Sequence, residues 1–507
     1  MCSARAIRTP YGSCAISPIT LICLAALLAP LVVVVALGAA REARHADAIN
    51  RVGAPICAAI ICGLAAVGLD HISDPVTGSW YLVDGAGGVF LGVIAVVGLI
   101  SALVSPSYLH DHRRARTGAL RSRQLYYAGF YVFWAALVAV PLANNLGVAW
   151  LVIEATTAAS ALLVAFSGTR NALEAGWKYL VLTSVGLSVA LMGIVMLYTT
   201  SIHTSAALSA LDWTTLTREA PHLDHRTTLV ALCVIIAGLA TKVGWAPVHN
   251  WLPDAHSEAP PPVSALLSAA LLPTVALVVW RLDLALQAAV DPRATKAIFL
   301  GFGLLSLGVA VPFLWKPLAW KRFLAYSSLE HMGVIALGIG FQNRYATAGV
   351  LIHVAGHAIA KSLGFSMSIP LVRYQPAASH RAPRGIARLS RPLSLGMGLS
   401  LAALGGIPPS PLFVSEALIL YGGIAAGQTI VAAIAAVLMA MGFLGIAHMS
   451  IEALGGTPDG RRATGRRTGI WISSLAGASA FGLVAIASLA YVLPYSTLAT
   501  ILTAGVR

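Results

Sequence analysis

GLATKVGWAPVHNWLPDAHSEAPPPVSALL, running from Gly238 to Leu267, carries a lysine inside an apolar segment that opens near Leu229. Five residues after Lys242, Pro247 interrupts the helix. Asp254, His256 and Glu258 then crowd a short turn, and Pro260, Pro261 and Pro262 start the next apolar run. A lysine at bilayer depth costs about 2.5–3.5 kcal/mol on insertion scales, so it marks a site of function. A proline break beside it frees backbone groups that only protein or trapped water satisfies. Charge plus a broken helix at mid-membrane is the anatomy of an ion site in a transporter. The plain alternative is a lysine snorkelling to the interface, against which the apolar residues on both sides argue.

Composition agrees with a membrane setting. The chain has 507 residues, 58% hydrophobic and 10% charged, with a mean hydropathy of +0.81. That excludes a soluble domain, and the apolar runs are long enough to span a bilayer. The expected fold is an all-α polytopic membrane protein of about fourteen helices. Spans are expected at 17–39, 52–70, 87–105, 126–144, 145–167, 176–198, 228–248, 260–281, 296–315, 324–341, 346–372, 392–424 (broken), 427–449 and 470–494. The first exceeds the apolar core of a signal peptide and is kept as a span. Six cysteines (Cys2, Cys14, Cys23, Cys57, Cys62 and Cys233) follow no zinc or iron–sulfur spacing and read as apolar fillers.

The charge of +14 reports topology. Loops after spans 1, 3, 5, 9, 11 and 13 hold 21 Lys and Arg residues. They include Arg113, Arg114, Arg116, Arg123, Lys321, Arg373, Arg461 and Arg462. The opposite face, with both termini, holds 9: Arg5, Arg8, Arg218, Arg226, Arg281, Arg293, Lys296, Arg344 and Arg507. The bias places the first set in the cytoplasm and both termini outside, with no need of nucleic acid.

Further ionisable groups fall within spans. Glu154 lies in GVAWLVIEATTAASALLVAF, where a nearby lysine would hold it ionised. Lys178 opens the sixth span in WKYL and reads equally as a snorkelling side chain. His353, His357 and Lys361 recur at i, i+4 and i+8 on one helical face, each step climbing about 6 Å, which suits a water-bridged relay. As metal ligands the two histidines would need a third partner, and Lys361 would repel the cation. Glu416 follows Gly405, Gly406, Pro408, Pro409 and Pro411 in a second broken helix. Glu330 and His331, in KRFLAYSSLEHMG, read as either intramembrane or interfacial. The broken spans, seventh and twelfth, lie five apart, and an odd repeat starts its second copy from the opposite face.

TKVGWAPVHNWLPDAHSEAPPPVSALL, KRFLAYSSLEHMG and GIPPS followed by SE resemble the antiporter-like proton-translocating subunits of respiratory complex I, Mrp cation/proton antiporters and membrane-bound hydrogenases. IEATTAASALLVAF with WKYL looks most like component F of hydrogenase-4 and formate hydrogenlyase complexes. The resemblance covers the chain from about residue 120 onward. It implies inverted five-helix repeats in spans 4–8 and 9–13, with broken helices 7 and 12. The corresponding divisions are 1–125, 126–281, 296–449 and 450–507. It also implies a glutamate–lysine pair at Glu154 and Lys242, and a sixth-helix lysine at Lys178. His353, His357 and Lys361 would form the central axis, with Glu416 the terminal carboxylate, and His331 is counted with them among the proton-translocating residues. The sequence departs from many relatives at Ser268, where they carry His or Lys.

The expected function is proton translocation within a hydrogenase-like or complex I-like redox assembly, in a bacterial or archaeal plasma membrane. No dinucleotide fingerprint, haem motif or cluster-binding cysteine set is present, so no cofactor is expected in this chain. The expected partners are other antiporter-like and small membrane subunits, soluble redox subunits and lipid. The rival readings are an Mrp-type Na+/H+ antiporter subunit, a membrane partner of a zinc-containing inorganic-carbon uptake protein, and an assembly subunit with a dead channel.

Overall fold

The computed structural model describes residues 17–111, 119–202, 209–371, 381, 384–457 and 466–506. Arg5, Arg8, Arg113, Arg114, Arg116, Arg373, Arg461, Arg462, Arg507, Cys2 and Cys14 lie outside the described residues. The helices are α1 (Pro18–Gly38), α2 (Ala43–Asp70), α3 (Gly85–Asp111), α4 (Ala119–Leu142), α5 (Leu146–Val164) and α6 (Arg170–Ser201). A broken α7 follows as α7a (His225–Val243) and α7b (Trp251–Glu258). Next come α8 (Pro261–Ala285), α9 (Pro292–Leu314), α10 (Trp320–Phe341) and α11 (Arg344–Leu371). A broken α12 follows, as α12a (Arg391–Leu404) and α12b (Pro411–Ala425), then α13 (Thr429–Gly455) and α14 (Arg466–Val492). Among the described residues, thirteen helices are long and apolar enough to cross a membrane. The remaining expected span is the broken twelfth. Among the described residues, extended pairing is confined to a small antiparallel hairpin between α2 and α3, β1 (Val76–Thr77) with β2 (Leu82–Val83), and two isolated bridges, Tyr81 with Ala143 and Asn145 with Asp212.

Local chemistry sets the breaks. Gly244 takes a φ of +81°, a left-handed conformation that a side chain would strain, and its N–H closes α7a on Ala240 O. Pro247 then has no N–H to continue the ladder. Protein groups satisfy what the break exposes. The Trp251 indole donates to Thr241 O at 2.6 Å, the Trp245 indole to Met332 O at 2.8 Å, and Ala246 N–H to Ser306 Oγ at 3.0 Å. In the twelfth span Ser410 caps α12b by accepting from Phe413 N–H, and Pro411 occupies the first turn, where its missing N–H costs nothing.

Helices α8, α10 and α11 form the centre. The apolar windows of α8 and α10 are wholly buried and that of α11 is 89% buried. The same neighbours pack in both halves: α4 on α5, α5 on α6 and α6 on α7a, then α9 on α10, α10 on α11 and α11 on both pieces of α12. The first three helices pack on one another, α1 also lies along α4, and α3 reaches α8 and α11.

Arg281 departs from the sequence-based expectation. Counted there as a loop cation, it is buried on α8 and pairs with buried Asp84 at 2.6 Å while donating to Pro141 O at 2.7 Å. An outer-face count based on composition cannot see such a partner. Arg123 likewise pairs with Asp47, and Lys321 donates to Ala259 O at 2.8 Å.

Candidate functional site

Lys242 sits in the last turn of α7a, fully buried. Its Nζ donates to Tyr179 OH at 2.5 Å and to Thr157 Oγ1 at 2.7 Å, and lies 4.6 Å from the Tyr179 ring centre. Tyr179 in turn meets Ser160 Oγ at 2.8 Å. Glu154 does not pair with Lys242 within 4.0 Å. It is half-buried one turn from Thr157, and its Oε1 accepts from Ser184 Oγ at 2.7 Å. The expected ion pair is therefore an ammonium bound by hydroxyls beside a carboxylate bound by another. Thr157 Oγ1 also reaches back to Ile153 O at 3.3 Å, so it is held by its own helix while it accepts from Lys242.

Lys178 lies apart from this axis. Half-exposed, it pairs with Glu174 at 2.6 Å and faces Asp254 at 3.7 Å, which also binds Arg322 at 3.0 Å. Its helix starts two turns earlier than the apolar pattern implied, at Arg170. A polar pocket opens among Asn171, Lys178, Asp254, Glu258 and Arg322.

The centre of the molecule holds a connected polar line. In α8 the segment Leu266–Leu271 is a single π-helical stretch, a feature often found at functional sites. Ser268 lies in it, 2.7 Å from Ser328 Oγ of α10. Ser328 donates to Leu324 O at 2.9 Å, and buried Lys361 Nζ donates to the same carbonyl at 2.7 Å. The hydroxyl pair therefore joins α8 to α10, and the shared Leu324 carbonyl brings Lys361 of α11 beside it.

Beyond Lys361 the histidines cluster, all buried. The ring centre of His331 lies 5.2 Å from that of His357 and 5.1 Å from that of His353, while His353 and His357 are 6.3 Å apart. His331 Nδ1 and His353 Nε2 are 3.1 Å apart, and His353 Nδ1 is 2.9 Å from Ser415 Oγ. Both nitrogens of His357 lack a partner among the described residues. One nitrogen each of His331 and His353 and a Glu416 oxygen lie within 4.8 Å of one another. This is the group among the described residues whose chemistry would suit a divalent metal. Glu330 is buried within α10, its carboxylate against Gly442 of α13.

The structure thus gathers His331, His353, His357, Lys361 and Glu416, places Lys242 with hydroxyl partners, sets Glu154 to the side and leaves Lys178 outside. Sequence reasoning missed Thr157, Tyr179, Ser328 and Ser415. Tyr179 follows Lys178 directly, and Ser415 precedes Glu416, but hydroxyls in apolar helices commonly bond their own preceding turn and give no distinct signal.

Comparison with known proteins bears on this arrangement. The family model described as NADH:quinone oxidoreductase/Mrp antiporter, TM, matches residues 143–442. A hydrogenase-4 component F homolog of Methylacidiphilum infernorum is 32% identical over 365 residues, covering 71% of this chain and 76% of that protein. The NADH-quinone oxidoreductase subunit N of Desulforudis audaxviator is 28% identical over 370 residues, covering 71% and 70%. A chain of the membrane-bound sulfane sulfur reductase, an archaeal respiratory membrane complex, shares the fold with a TM-score of 0.81 at 19% identity, covering 96% of this chain and 97% of its own.

Proposed function

The chain belongs to the NADH:quinone oxidoreductase/Mrp antiporter family of membrane proteins, and from that we propose that it carries protons along its buried polar line. It is a multi-pass, antiporter-like membrane subunit. What supports the reading most is the buried run of Lys361, His357, His331, His353 and Glu416, with Ser268 and Ser328 beside Lys361 at the shared Leu324 carbonyl. Titratable side chains in apolar helices are costly to keep, and neighbours at these spacings pass protons directly or through one water. Lys242 is the loading group of the first half, Glu154 gates it, Glu416 is the terminal acceptor, and Lys178 lines a mouth.

The module sits in the plasma membrane of a bacterium or archaeon, with both termini outside, as the lysine and arginine bias argues. Residues 126–281 and 296–449 are inverted five-helix repeats. The recurrence of the same helix pairings and the breaks in α7 and α12 support this. Soluble redox subunits and further membrane subunits drive it in a hydrogenase-like or complex I-like assembly. The matching family also includes Mrp antiporters, so sodium exchange is the second reading. Radiolabelled sodium uptake by vesicles holding the native complex separates the two. Proton uptake normalised to complex abundance tests the relay: His357→Ala should lose it with the complex intact, and unchanged uptake would remove the relay.

A further inference from the structure

Ser415 has one hydroxyl proton, and its surroundings fix where that proton points. Its Oγ lies 2.7 Å from Leu412 O and 2.9 Å from His353 Nδ1. A carbonyl oxygen only accepts, so the serine proton must point at Leu412 O; otherwise two oxygen lone pairs would face each other at contact distance. Ser415 Oγ therefore accepts from His353, whose neutral ring carries its proton on Nδ1 and a lone pair on Nε2. That Nε2 is 3.1 Å from His331 Nδ1, so His331 donates there and its own lone pair lies on Nε2. This Nε2 is buried, with no partner among the described residues. A single helix carbonyl thus sets the tautomers of two rings in series.

Resting on the relay reading above, we propose that Ser415 is a positioning residue that polarises the His331–His353 pair, so that a proton entering at His331 Nε2 is delivered to His353 Nε2, beside α12b. As a proton bonds to His331 Nε2, the His331 Nδ1–H bond breaks and that proton passes to His353 Nε2. His353 keeps its Nδ1–H bond to Ser415 Oγ and so becomes an imidazolium. His331 and the serine end with as many protons as they began with, and His353 has gained one. The reverse transfer, from His353 Nε2 to His331 Nδ1 with loss of the His331 Nε2 proton, restores the starting tautomers.

Nitrogen-15 NMR of histidine-labelled complex in its membrane reads the tautomers directly. In the wild type both His331 and His353 should be protonated on Nδ1. Ser415→Ala should redistribute the His353 proton and lower transport per complex by roughly tenfold or more, as expected when a ring nitrogen bears the wrong proton. Ser415→Thr, which keeps the hydroxyl, should restore both. A wild-type His353 protonated on Nε2 alone overturns the proposal, even if the alanine variant fails to assemble. So does a Ser415→Ala complex with wild-type tautomers and transport. Full transport in His357→Ala would instead overturn the relay itself, whatever tautomers are measured.

Discussion

Lys242 spends its donors on two hydroxyls, Tyr179 and Thr157, while Glu154 is held by Ser184 one helix away. A salt bridge that simply fastened two helices would look different, with its charges in contact. Glu154→Gln should therefore leave complex abundance unchanged and abolish coupled proton transport. Lost abundance with normal transport per complex would make the carboxylate structural. Tyr179→Phe takes one acceptor from a buried ammonium and should destabilise by about 1–3 kcal/mol, visible in the melting of the solubilised complex. Ser268 carries a second residue-scale prediction. Its hydroxyl meets Ser328, so Ser268→Ala should slow transport, whereas Ser268→His, which introduces an ionisable group, should retain it. Equal transport in the wild type and Ser268→Ala would place the path elsewhere.

At the scale of elements, α10 threads its polar residues between two neighbours. It meets α8 through Ser328 and α13 through Glu330. The second contact depends on the absence of a side chain at Gly442, where an added methyl would lie 2.0 Å from Glu330 Oε1. Gly442→Ala must push the carboxylate aside or part the helices, and overpacking of this kind costs about 1–3 kcal/mol. Adding Glu330→Ala should recover most of that loss, because the clashing group is gone, and a double-mutant cycle on thermal melting reads the coupling. Additive losses would show that α10 and α13 do not meet there in the working protein. The broken helices follow from their own residues: glycine in the left-handed region, then proline, with α12b restarting on the Ser410 cap and α7b starting after Asn250 without a side-chain cap.

For the whole molecule, the Asp84–Arg281 pair ties the amino-terminal helices to the centre. Asp84 receives Gly87 N–H at 2.7 Å at the start of α3, and Arg281 reaches it from α8 while also binding Pro141 O at the end of α4. Removing one partner strands a buried charge, so Arg281→Ala should cost about 3–5 kcal/mol. Arg281→Met with Asp84→Asn removes both charges and keeps an amide oxygen for the cap, and should recover most of it. A full loss persisting in that double variant would assign the cost to packing. Melting of the solubilised complex decides between them.

The sequence by itself determined the spans and their breaks. A bilayer demands about twenty apolar residues per crossing and a backbone bonded to itself, and both requirements are met locally. The i, i+4, i+8 spacing likewise put His353, His357 and Lys361 on one face before any contact was known. What each charge touches was decided only by the tertiary structure. Lys242 finds Thr157 from 85 positions away and Arg281 finds Asp84 from 197. His331 read as intramembrane or interfacial until α10 was seen to pack inside the molecule. Lys178 read equally as a span residue and as a snorkelling side chain until its helix was seen to leave it among Glu174 and Asp254. Apolar patterning repeats along the chain and is legible there, whereas a hydrogen bond between helices depends on which faces are brought together, and one sequence carries no record of that.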